Sequence, residues 1–194
     1  RLALHRAFGL GEPAMVWHDS RMTLAGKLLV AGPQLVDPNF WRSVVLLLEH
    51  GDEGAPGIVL NRVTEERVVD YLPAWEEHLI PPGLVHYGGP VEPEVAIGLG
   101  RMASGSHAGV AGLALVDLTA DPDADTPNVR VYSGYSGWSP GQLEDELQSG
   151  AWFVLDAAPD DVFADPEGLW RNVLRRQPGN LAMVGLFPED PSLN

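Results

Sequence analysis

Cysteine is absent from this 194-residue chain. That excludes disulfides, thiol nucleophiles, iron–sulfur clusters and cysteine-ligated zinc. Basic charge is scarce: 12 Lys and Arg stand against 27 Asp and Glu, a net charge of −15. A phosphate backbone is repelled by most of such a surface. The basic cluster that exists, Arg171, Arg175 and Arg176, has acidic company in Asp160, Asp161, Asp165 and Glu167. Direct nucleic-acid binding is therefore not expected. No apolar run approaches the roughly 18 residues of a membrane helix, and no membrane association is expected. The N-terminal stretch lacks the apolar centre and cleavage site of a secretory signal. The expected compartment is the cytoplasm. Histidine, at positions 5, 18, 50, 78, 86 and 107, never adopts HExxH or i, i+4 metal spacing. No metal site follows. No Walker A or GxGxxG motif is present, and Gly98-Leu99-Gly100 alone carries little; no cofactor is expected.

What remains is the composition of an ordinary globular protein, 45% apolar and 20% charged. A chain this long can bury roughly 70% of its unfolded surface around one core. Residues 1–21 read as an appended arm, native or added, and residues 22–194 as one domain. The most informative stretch is Gly26–Asn61. Two strand-like apolar runs, Lys27–Ala31 and Ser43–Glu49, bracket an irregular segment with two prolines and Phe40-Trp41. Val44–Leu48 is apolar without a break, the pattern of a central strand buried on both faces. Further strands are predicted at Gly57–Asn61, Leu84–Tyr87, Val95–Gly100, Leu113–Asp117, Val129–Tyr132 and Trp152–Leu155.

Helices are fewer. Ser139-Pro140-Gly141-Gln142 predicts a start with Ser139 as cap and Gln142 completing a capping box. Leu143 and Leu147 then face inward and Gly150 stops the helix. Asp165-Pro166 opens a second helix with Leu169, Trp170, Val173 and Leu174 as its apolar face. A weaker helix is predicted over Glu66–Leu72, ended by Pro73. Ala120–Pro127 reads as an acidic loop. Strands dominate the middle and helices the last third, which points to α+β architecture.

The polar residues at the strand ends are the candidate site: Arg42, Glu49, His50, Asn61 and the turn Gly88-Gly89. An arginine entering an apolar strand needs a partner; Asp37 or Glu49 is expected to supply it. His50, near Asp37 or Asp52, has the type of a general base, although such a histidine is more often satisfied by backbone. Glycine amides can cradle an anion, but a turn needing positive φ is the commoner reason for paired glycines. Gly134-Tyr135-Ser136-Gly137 looks like a nucleophile elbow, yet Trp138 stands where the second glycine is required. A tight strand-to-helix corner is the better reading. Tyr135, Trp138, Trp152 and Trp170 read as core.

Three motifs, in order, resemble one family. They are LLVAGP through RSVVLLLEH to VLNR, with Phe40, Arg42 and Ser43 inside it; GGPV at Gly88–Val91; and the Gly134–Leu147 segment ending PGQLE-x-EL. Over about Leu24 to Leu174 the chain is similar to the AlgH/YqgE family of bacterial proteins. The resemblance implies a cytoplasmic protein of one compact domain, with a twisted, mostly antiparallel, partly barrel-like sheet flanked by helices. It implies a link to regulation, proposed as transcriptional in one branch and here expected to be indirect. It carries over no catalytic residues. A conspicuous cysteine in some members suggests redox sensitivity, which this cysteine-free chain cannot share. The expectation is a non-enzymatic regulatory or protein-binding module, monomeric or weakly dimeric, with unidentified protein partners. The alternative is a small-molecule or nucleotide-binding enzyme using Arg42, His50, Asn61 and Gly88-Gly89. Convergence of those residues on one concave site discriminates between them.

Overall fold

The computed structural model describes residues 23–101 and 112–186. The expected N-terminal arm lies outside the described residues. Among the described residues nine strands form one sheet: β1 Lys27–Ala31, β2 Val44–Leu47, β3 Ala55–Val59, β4 Val63–Arg67, β5 Leu84–Tyr87, β6 Val91–Arg101, β7 Leu113–Val116, β8 Val129–Trp138 and β9 Trp152–Asp156. Helices follow β8 and β9: α1 Gln142–Gln148, α2 Pro166–Arg175 and α3 Asn180–Val184. The chain is α+β, and no described helix is long and apolar enough to cross a membrane.

The long strand β8 is the fork of the sheet. Its last residues pair with β3. Its first residues pair with β6 antiparallel and with β5 parallel. One limb therefore runs β8-β3-β2-β1-β9 and the other holds β4-β5-β8-β6-β7. The expected partly barrel-like sheet is an open sheet, forked at β8, among the described residues.

β2 is central, paired with β1 on one side and β3 on the other. Side chains alternate across a strand, and both faces of β2 are covered. Val44 and Leu46 enter the larger core with Leu28, Val30, Ile58 and the apolar face of α2. Val45 and Leu47 enter a second core with Leu29, Trp138, Trp152 and Leu143 of α1. The unbroken apolar run is thus the signature of a strand with a layer on each side. α2 starts where expected: the Asp165 carboxylate accepts the N–H of Glu167, and Pro166 opens the first turn. Leu169, Trp170, Val173 and Leu174 are all buried, each worth roughly 1.5–3 kcal/mol against exposure.

Two helix predictions need correction. Over Glu66–Leu72 the chain ends β4 and makes a 3-10 turn, Val68–Asp70; Pro73 then begins another, Pro73–His78, rather than ending a helix. β4 was hidden because its sequence, VTEER, has no apolar alternation. It is an exposed edge strand, paired on one side with β5, so it has no need of one. At α1 the cap is Gly141 in the left-handed region, and the Ser139 side chain makes no capping bond. The reciprocal half of the box does form: the Gln142 side chain accepts the Ser139 N–H at 3.1 Å. Gly141 takes the place the serine was expected to fill because only a residue free of Cβ strain turns the chain there.

Candidate functional site

Arg42 and Asn61 meet at the entry of β2. Asn61 replaces a ladder rung where β2 and β3 diverge. Its Oδ1 accepts the Val44 N–H at 2.8 Å and its Nδ2 donates to the Arg42 carbonyl at 2.9 Å. Arg42 itself has φ 52, a left-handed conformation uncommon for a residue with a Cβ. Its guanidinium lies 4.7 Å from the centre of the Trp170 ring and 5.1 Å from that of Trp41. The Asp37 carboxylate accepts the Asn39 N–H, and Glu49 is exposed at the far end of β2. Two indole faces thus flank the Arg42 guanidinium. Such stacking offsets the desolvation of a guanidinium.

A second arginine, which the sequence reading did not single out, completes this corner. Arg62 donates to the carbonyls of Asn61 and Trp41. Burial lowers its pKa from the ordinary arginine value. Trp41, Arg42, Asn61 and Arg62 from the β-strand side, with Trp170 and Arg171 of α2, surround a cleft of about 450 Å³. Pro166 and Glu167 close its remaining edge.

His50 and Glu49 lie elsewhere, past the other end of β2. His50 Nδ1 accepts the Leu24 N–H at 3.3 Å, so Nε2 carries the proton and donates to Glu144 Oε1 at 2.9 Å. Both ring nitrogens are occupied, and the carboxylate comes from α1 instead of Asp37 or Asp52. Glu144 is held below the usual carboxylate range, first by its own backbone N–H and then by His50.

Gly88 and Gly89 mark a close backbone crossing. A Cβ on Gly88 would collide with the Gly134 carbonyl, and one on Gly89 with the backbone of Tyr135. The Gly88 N–H donates to the Ser133 carbonyl, while its own carbonyl accepts the Val59 N–H. The Gly88 amide is thus engaged in backbone bonding. Ser136 is fully buried with its hydroxyl facing the Gly88 carbonyl at 3.4 Å. It sits inside β8, and the strand-to-helix corner comes only after Trp138. Trp138, Trp152 and Trp170 are buried, as expected; Tyr135 is half-buried.

A second concavity was missed. It is an apolar groove of about 740 Å³ on the β4-β5-β8-β6-β7 limb. Val68, Leu72, Val85, Ala96, Leu118 and Val131 make its floor. Its charged lining residues are Glu66 and Glu94. Tyr71, 60% exposed, stands at the rim and donates to Glu66 Oε2 at 2.8 Å. That bond raises the Tyr71 pKa. The groove assembles residues from five separate segments, and no local motif announces it. The one available signal was the surplus of apolar residues on short strands with few helices to cover them.

Among the described residues no group of three His, Cys, Asp or Glu could hold a metal. Fold and site together define an α+β protein whose described residues form an open sheet, an apolar groove and an arginine-lined cleft. The chain belongs to the AlgH-like family, whose model matches residues 28–182. A UPF0301 protein of Streptomyces coelicolor is 50% identical over 185 residues, covering 89% of this chain and 96% of the relative. One from Thermobifida fusca is 45% identical, covering 91% and 98%. The crystal structure of protein DIP2367 from Corynebacterium diphtheriae superposes with a TM-score of 0.78 at 32% identity, over 89% of this chain and 95% of that one. The solution structure of the AlgH protein from Pseudomonas aeruginosa gives 0.63 at 26% identity, over 90% and 100%. These names state no activity.

Proposed function

We propose that this protein is a non-enzymatic regulatory or protein-binding module of the bacterial cytoplasm, and that a partner protein occupies the apolar groove. The groove carries the reading. A half-open apolar floor of this size costs hydration free energy when left in water and rewards an occupant that covers it. Its two rim carboxylates, on a chain of charge −15, favour a partner segment with apolar side chains flanked by Lys or Arg. The enzyme alternative has less support. It needs Arg42, Asn61 and His50 around one substrate, and they fall at opposite ends of β2.

The test is site-specific photocrosslinking in the living bacterium. A benzophenone side chain at Tyr71, on the groove rim, is expected to yield discrete protein adducts. The same group at Val154, 37% exposed on β9, should not. No adducts at Tyr71, or identical patterns at both positions, would count against the groove.

A further inference from the structure

We propose that the apolar groove receives the α3 corner of a second copy of this chain, so that molecules associate head to tail. This rests on the reading of the groove as a protein-binding site and names its occupant. Three observations converge. The first is an uncovered helix face. α3 and the two residues after it read NLAMVGL, apolar nearly all round. A helix of that kind is ordinarily covered on every side. Leu181 and Val184 pack against the larger core beside α2. Met183 and Leu186, three apart and so on one side of the helix end, are left in solvent, 64% and 70% exposed.

The second is charge. Arg175, the last residue of α2, is exposed and lies against the same corner: a Cβ on Gly185 would stand 3.2 Å from its Cγ. The groove carries the opposite sign, with Glu66 and Glu94 as its charged lining. Neither Arg175 nor Glu94 has an ion pair among the described residues. On a molecule of net charge −15, two exposed apolar side chains beside an arginine are the chemistry that an apolar floor rimmed by carboxylates selects.

The third is placement and size. Val131 belongs to the groove floor, and its neighbour Tyr132 to the core that α2 and α3 cover. Side chains alternate across a strand, so α3 and the groove lie on opposite faces of that limb of the sheet. A contact between two different surfaces is heterologous: each copy offers one α3 corner and one groove. The groove, about 740 Å³, has room for both side chains, and the unbranched thioether of Met183 adapts to an irregular floor. The contact is small, and the net charges of the two copies repel. Association is therefore weak and concentration-dependent.

Sedimentation velocity of the purified protein over a concentration series is the test. The apparent mass of the wild type should rise with concentration. Arg175→Glu and Glu94→Lys should each weaken self-association about tenfold or more, because each replaces an attractive charge pair with a repulsive one. An equal mixture of the two variants should associate again. The Arg175→Glu copy keeps a native groove, the Glu94→Lys copy keeps a native α3 corner, and recovery shows that both variants fold. With benzophenone at Tyr71, irradiation of the purified protein should give a covalent dimer whose crosslinked peptide contains Met183 or Leu186. A wild type that stays monomeric, association untouched by both substitutions, a mixture that stays apart, or a crosslink elsewhere in the second copy overturns the inference. Tyr71 adducts in the bacterium with other proteins alone would overturn it and leave the groove reading intact. No adduct of any kind would sink both.

Discussion

His86 sits on β5 opposite Tyr132 of β8, 2% exposed, with ring centres 5.4 Å apart. Its Nδ1 donates to the Leu84 carbonyl at 3.1 Å, and its Nε2 has no hydrogen-bond partner among the described residues. Desolvation, and then the charge of Arg130, lower its pKa from 6.5 to about 4. The folded state therefore refuses a proton that the unfolded chain accepts. Stability from this group is complete above pH 6.5 and is lost as pH falls from 6.5 towards 4. At about 1.4 kcal/mol per pKa unit the full loss is about 3 kcal/mol, of which about 2 is gone by pH 5. Urea melts at pH 7.5 and pH 5 check this. The wild type should lose about 2 kcal/mol more than His86→Phe between those two pH values. Equal losses would assign the pH dependence to other groups.

At the scale of elements, α1 is held less by its cap than by Glu146. That carboxylate accepts the indole N–H of Trp138 at 2.9 Å and of Trp152 at 2.7 Å, and its other oxygen takes Gln142. One side chain thus joins α1 to the ends of β8 and β9. Phe40 packs against both indoles, with ring centres 6.0 and 5.5 Å away. Glu146→Ala leaves two indole donors without their acceptor, at about 1–3 kcal/mol each where they stay dry. A loss of about 2–4 kcal/mol is expected in chemical denaturation. Ser139→Ala, which removes no capping bond, should fall within about 0.5 kcal/mol of wild type. The reverse ranking would restore Ser139 as the cap. The same scale explains where patterns misled. β4 lacks alternation because it is an edge, and the capping box is half-formed because Gly141 turns the chain one residue before the helix.

For the whole molecule, charge is the dominant physical fact. With −15 overall, the molecule as a whole repels a phosphate backbone. Anisotropy titrations of the isolated protein near physiological salt should give no sequence-selective DNA binding. Tight, salt-sensitive binding to one sequence would reverse that and point to a direct transcriptional role. The same net charge favours cationic partners and makes their association salt-dependent.

Local pattern was enough wherever one strand or helix buries a whole face. Val44–Leu47 announced a two-sided central strand, and Asp165-Pro166 with its apolar stripe announced α2. The missing cysteines and the acidic balance excluded chemistries without any reference to shape. The site residues were legible only in part. Arg42 and Asn61 stood out because polar groups beside an apolar strand need partners, and they do share one corner. Which partners they have was decided by residues far away in the chain: Trp170 lies on α2 after the last strand, and Arg62 reaches back to Trp41. His50 was drawn to Glu144 for the same reason. The groove was invisible because its floor comes from β5, β6, β8 and the turns around them. A sequence specifies what each segment buries, because burial follows local periodicity. It does not reveal which buried faces are left half-covered, because that depends on how the limbs of the forked sheet are packed by segments distant along the chain.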